Sequence, residues 1–202
     1  MDKRTVKLIQ EFIECQRTEK KIINYVIRDD VFSLLQKECK VLYYSLEDSI
    51  EGCHVVKPVN GKMQQFVFIN TSKVVQEQVW TAAHELGHVW GVDKYVRDRQ
   101  KDCKESVEKL VGRFTAEFLM PERIIEEEIC KKLKEYQYSG TQISVDMMID
   151  LVAYLMNYFC VPFKSIILRF VELGHVKEHD QEKFLVYANS ERLSKKIQEN
   201  QY

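Results

Sequence analysis

The chain has 202 residues, with 45% hydrophobic and 30% charged side chains and a formal net charge of −1. That length suits one domain, or one domain with a small appendage, and the apolar share is enough for a packed core. The near-zero charge excludes a global field drawing the protein to nucleic acid or anionic lipid, and the longest apolar stretch, Met147 to Phe163, is too short and polar for a convincing membrane span. The six cysteines (Cys15, Cys39, Cys53, Cys103, Cys130 and Cys160) form no C-x-x-C pair, so a cysteine-held zinc is not expected. Met1-Asp2-Lys3-Arg4 leads into a mixed amphipathic segment and not a signal peptide, so a cytoplasmic location with reduced thiols is expected.

Residues from about 3 to 38 show helical periodicity, with Val6, Ile9, Phe12 and Ile13 on one face and a second helix carrying Val31, Leu34 and Leu35. The period then shortens. Val41 to Leu46 is rich in β-formers and reads as a strand, as do His54 to Val59 and Gln65 to Ile69. The last two flank Asn60-Gly61, a hairpin signal because both residues tolerate positive φ. Pro58 predicts that its strand lies at an edge or ends there. Asn70-Thr71-Ser72 is expected to close the sheet and cap a helix from roughly Lys73 to Trp90. Val75, Val79, Ala82, Leu86 and Val89 make that helix's apolar stripe, and Gly91 stops it. A polar loop is predicted from Asp93 to about Lys104.

A second strong helix is predicted from Glu105 to Met120, with Val107, Leu110, Val111, Phe114 and Phe118 at helical spacing. Pro121 ends it and opens a helix whose acidic first turn and later lysines suit the helix dipole. Ser139-Gly140 breaks the pattern. Two more helices follow, Val145 to Tyr158 and Phe163 to Leu173, around a tight Val161-Pro162 turn.

The chemistry is concentrated in His84-Glu85-Leu86-Gly87-His88, an H-E-x-x-H motif within the first strong helix. Histidines four apart on a helix project from one face, so both imidazoles can reach one metal ion while Glu85 reaches a water beside it. Zinc held this way wants a third protein ligand and an open position. Glu108, twenty residues after His88 on the second strong helix, is the choice for it. Glu105 lies one turn earlier and Glu117 further along, and spacing alone excludes neither. Glu85 is the expected general base. Two hydrogen-bonded surface histidines would give the same letters; the order of strands, helix and following acidic helix favours the metal. His175-Val176-Lys177-Glu178-His179 fits the inverted H-x-x-E-H pattern, but Gly174 breaks the helix that would aim both rings, so no metal is expected there. His54 reads as a partly buried or surface strand histidine, not a ligand.

Val67-Phe68-Ile69-Asn70, then Trp80-Thr81-Ala82-Ala83-His84-Glu85-Leu86-Gly87-His88, then Glu108 followed by Phe114-Thr115-Ala116-Glu117-Phe118-Leu119-Met120-Pro121, resemble the ImmA/IrrE family of bacterial and phage metallopeptidases. Phe159-Cys160-Val161-Pro162 and Arg169 to Gly174 extend the likeness, which covers about residues 40 to 175. The resemblance implies that His84, His88 and Glu108 hold Zn2+ and that Glu85 is the catalytic carboxylate. It implies an α+β fold: a zincin-like minimal core with a small, antiparallel-rich three-stranded sheet over the active-site helix, plus a C-terminal helical portion. The expected division is an N-terminal helical segment over 1–39, the core over 40–140 and the helical portion over 141–202, packed on the core. Substrate backbone is expected along a sheet edge near the metal, with Phe66 to Asn70 the candidate edge. Val111-Gly112 stands where the family usually has Ala-Asn, and Thr115 where it has Ala; Gly112 is expected to weaken its helix while allowing close packing on the active-site helix.

The family's typical substrates are helix-turn-helix repressors, cut to derepress a mobile element or a stress response, so a protein substrate is expected, with no direct nucleic-acid or membrane partner. Two other functions fit the letters. The helices from Val145 to Leu173 could form a DNA-binding helix-turn-helix, although Lys164 and Arg169 are the chief cations on the second. A zinc-binding domain without catalysis would retain the same ligands.

Overall fold

The computed structural model describes residues 1–47, 49–138, 140 and 143–200. Its α+β architecture, ten α-helices and a three-stranded sheet among the described residues, is the expected class. The chain forms two compact units, Met1–Leu119 and Met120–Tyr202.

In the first unit, α1 (Lys3–Lys20) starts at Asp2, whose carboxylate accepts from the Thr5 amide at 2.9 Å, and buries Ile9, Phe12 and Ile13. Helix α2 (Asp30–Glu38) buries Val31 and Leu35. Three strands follow: β1 (Lys40–Tyr44), β2 (Gly52–Val59) and β3 (Lys62–Asn70). The β2–β3 hairpin turns at Asn60 and Gly61, with φ of 51° and 77°. The strand order is β1-β3-β2, with β1 parallel to β3. This order corrects one expectation. Phe66 to Asn70 lies in the central strand, paired on both sides, and presents no free edge. Val67 and Ile69 are fully buried there, the pattern of a strand covered by neighbours.

Of the two edge strands, β1 and β2, the one that packs on α3 is β2. The Asn70 amide donates to the Glu51 carbonyl at 3.1 Å, which makes Glu51 and Asn70 a hydrogen-bonded pair. Antiparallel pairs alternate between bonded and non-bonded, so the backbone groups of Gly52, His54, Val56 and Pro58 face away from β3. Pro58 therefore sacrifices no ladder bond, as its place at an edge requires.

Helix α3 (Val75–Trp90) packs on β2, β3 and α2. It begins two residues later than predicted, with Val74 at its N-cap and no side-chain cap. Asn70 is turned to another task. Its amide nitrogen donates to the carbonyls of Glu47 and Ile50 at 3.1 and 2.6 Å, and its Oδ1 accepts from the Leu46 and Ser72 amides, each at 2.9 Å. It thus ties the β1–β2 connection to the end of β3. Val75, predicted for the apolar stripe, is exposed; Val79, Ala82, Ala83 and Leu86 form the buried face. Gly91 ends the helix at φ 75°.

The first part of the predicted polar loop is instead a helix, α4 (Val92–Arg99), on which Val92 and Val96 are buried, while residues 100–104 form the expected loop. Helix α5 (Val107–Leu119) buries Leu110, Val111, Phe114 and Phe118, whereas Val107 sits at the surface. Phe114 stacks on Phe118 at 5.3 Å, and both meet the edge of Trp90. The Arg17 guanidinium, buried from α1, donates to the Phe118 carbonyl at 3.2 Å and satisfies the end of α5.

In the second unit, α6 (Glu122–Glu135), α7 (Val145–Phe159) and α8 (Phe163–Leu173) are followed by α9 (Gln181–Leu185) and α10 (Glu191–Glu199). The last two carried no prediction. Helix α10 packs on α7, where the Asn157 amide donates to the Ile197 carbonyl at 2.9 Å. Ser139 of the predicted break lies outside the described residues, as do 141 and 142 at the start of the expected C-terminal portion. Among the described residues no single helix is long and apolar enough to cross a membrane; α7 and α8 pass that test only when taken together, and they are bent by 106°.

Candidate metal centre

Helix α3 carries His84 and His88 through one unbroken turn, with ring centroids 5.0 Å apart. What brings a third group to them is the approach of α5. Gly87, inside the motif, allows it: a Cβ there would lie 2.7 Å from Phe114 Cδ1 and 3.0 Å from Val111 Cγ1. Gly112 does not have the close-packing role expected of it, since a Cβ at that position meets nothing within 4 Å.

The segment that delivers Glu108 is held from α4. Arg97 donates to the Glu105 carbonyl at 2.8 Å and the Cys103 carbonyl at 3.4 Å. Ser106 Oγ accepts from the Lys109 amide at 3.2 Å and opens α5, which places Glu108 in the first turn. Sequence periodicity missed Arg97 because α4 is largely polar.

The three side chains converge. His84 Nε2 lies 3.1 Å from Glu108 Oε2 and 3.2 Å from His88 Nε2, and His88 Nε2 lies 3.5 Å from Glu108 Oε1. They form a group able to hold a metal ion, with ligand atoms all within 4.8 Å of one another. The edges suit zinc: tetrahedral bonds of about 2.0–2.1 Å put neighbouring donors roughly 3.3 Å apart. Two imidazole nitrogens facing each other at 3.2 Å also make sense as donors to one shared cation. Burial, then the neighbouring His84, pulls the His88 pKa down, which favours the neutral, ligating ring.

The rival acids are engaged elsewhere. Glu105 faces the Met1 amino group at 3.9 Å and Lys109 at 3.5 Å, and buried Glu117 pairs with Arg113 at 3.1 Å. In the inverted motif, His175 meets Glu126 at 2.7 Å and His179 meets Asp180 at 3.3 Å. Neither belongs to a metal-holding group among the described residues.

Glu85 is only 7% exposed. Burial, and then the charge of Glu108, raises its carboxyl pKa to about 7. A cation at the histidines would favour the ionised form. His84, Glu85, His88 and Glu108 line an open cleft of about 560 Å³, walled on the other side by Gly52 and His54 of β2. Sequence reasoning left these two outside the site, although their alternation along β2 puts them on one face.

The sequence model of the IrrE N-terminal-like domain, peptidase family M78, matches residues 36–171. The chain belongs to this family. IrrE-like members of this group are metal-dependent peptidases, and the present chain carries its candidate triad within the matched span. No curated protein matches the chain in sequence. Among solved structures it is similar in fold to a Mycobacterium tuberculosis transcriptional regulator, with a TM-score of 0.52 and 16% identity. That likeness covers 82% of this chain and 46% of the other, so the chain spans less than half of that protein's length.

Proposed function

We propose that this IrrE-like protein is a zinc-dependent endopeptidase that cleaves a protein substrate, a helix-turn-helix repressor by family likeness, and so derepresses a mobile element or a stress response. The observation that carries it is the convergence of His84, His88 and Glu108 beside a buried Glu85. A bound zinc would supply Lewis acidity, lowering the pKa of a coordinated water and polarising the peptide carbonyl. His84, His88 and Glu108 would hold the ion. Glu85 takes a proton from the attacking water and returns it to the leaving amine, a task suited to a carboxylate beside the ion on the same helix turn. The outward backbone groups of Gly52 and His54 offer an extended peptide a strand to pair with, directly beside the cleft. The reading includes a cytoplasmic site of action.

A DNA-binding alternative finds less support. Of the two cations on α8, Arg169 is fully buried, donating to the Met120 carbonyl at 3.2 Å and to Glu172 at 2.9 Å, so only Lys164 is exposed. The test is to incubate the zinc-loaded protein with helix-turn-helix proteins encoded beside its gene and to read fragments by mass spectrometry. The parent cuts at a defined bond; Glu85→Gln retains zinc and loses cleavage by at least about 10²-fold, the usual scale for a positioned base. Equal cleavage by both proteins contradicts the role of Glu85.

A further inference from the structure

On the peptidase reading above, on which this inference rests, the scissile carbonyl oxygen gains negative charge as its carbon becomes tetrahedral. A hydrogen-bond donor aimed at that oxygen lowers the barrier. The cleft restricts which side chain can be that donor. Ionised carboxylates only accept, and His84 and His88 are committed to the ion. Thr81 is buried, with its methyl carbon 2.6 Å from where a Cβ on Gly52 would stand. Three side-chain donors remain on the cleft wall, His54, Trp80 and the largely buried Thr81.

Three observations favour His54. It lies opposite Val67 on β3, and directly paired residues share a face. Val67 is fully buried and β3 packs on α3, so His54 stands on the sheet face turned towards the active-site helix. Its ring is anchored: Nε2 lies 2.9 Å from the side-chain amide of Gln65, which leaves Nδ1 as the nitrogen for another partner. It also occupies a position whose backbone faces the free edge, where a peptide added to β2 would run.

We propose that His54 is a catalytic residue of this site, held by Gln65 and donating from Nδ1 to the scissile carbonyl oxygen. No covalent bond forms to it; its contribution is a hydrogen bond that strengthens as charge develops on the oxygen.

The test uses the full chain loaded with cobalt(II), whose visible spectrum reports on the metal's surroundings, and a peptide phosphonamidate as a tetrahedral probe. One cobalt bound per chain, with a spectral change on adding the probe, establishes the parent's affinity. His54→Ala retains its cobalt and weakens the probe on the order of 10²-fold, the scale for losing one oxyanion donor. Gln65→Leu weakens it less, and His54→Gln, which keeps a donor, recovers part of the loss. With a cleaved substrate in hand, His54→Ala lowers kcat and leaves KM little changed. Unchanged probe affinity in His54→Ala, or a loss found only in Trp80→Phe, overturns the proposal while leaving the peptidase reading intact. Loss of cobalt from His54→Ala also overturns it, by giving His54 a structural role in the metal site. A parent that holds cobalt but ignores the probe removes the peptidase reading, and this inference with it.

Discussion

Glu85 is buried, and Glu108 adds like charge from α5. Its carboxyl pKa rises from 4.5 to about 7 in consequence. A group whose folded pKa is raised binds more protons in the native than in the unfolded state between those two values, so stability falls as pH rises through that window. The chelator-treated protein should therefore lose stability from pH 4.5 to about 7, and Glu85→Gln should flatten that decline. Urea unfolding at a series of pH values checks it, and a decline of the same size in both proteins would show that burial of Glu85 is not its source. The histidines and Glu85 were legible in sequence because helical spacing alone sets their relative position. His54 was not, because its place in the cleft wall depends on a strand pairing that residue order does not reveal.

At the scale of elements, the centre depends on how closely α5 lies against α3. Gly87 sets that distance: a methyl group there collides with Phe114 and Val111, both held in a buried cluster. Gly87→Ala should cost about 1–3 kcal/mol, the range for overpacking a filled core, and should weaken metal binding by moving Glu108 away from the rings. Gly112 is the contrasting case, a helical glycine with open space around it. Gly112→Ala should stabilise the protein by about 0.5–1 kcal/mol through helix propensity and leave metal affinity unchanged. Thermal unfolding with a metal titration separates the two, and equal effects would remove Gly87 from its role in spacing the helices. The hairpin was readable because Asn60-Gly61 signals it locally. The parallel partnership of β1 with β3 was not, since it joins strands separated by the whole of β2. The edge expected at Phe66 to Asn70 came with the family resemblance; the structure inserts β3 between two partners. The loop predicted after α3 starts too early, because the polar surface of α4 leaves only Val92 and Val96 to mark a buried face.

For the whole molecule, the span matched by the family holds the arrangement that matters: α3 brings two imidazoles and α5 one carboxylate together, at edges that fit a single divalent ion. The ion would bridge two helices that otherwise meet through Gly87 and the aromatic cluster, so binding should also contribute to folding. Spacing pointed to Glu108 and the resemblance supported it, because Glu105 and Glu117 lie at spacings that periodicity alone could not reject. The structure gives that choice a physical basis, since Arg97 fixes the Glu105 carbonyl and the start of α5 brings Glu108 to the two rings. The most direct measurement is the zinc content of the purified protein after dialysis, compared between the parent and Glu108→Ala. One zinc per parent chain, with the variant largely emptied under the same conditions, is the predicted result. Full zinc occupancy in Glu108→Ala would contradict the centre as described.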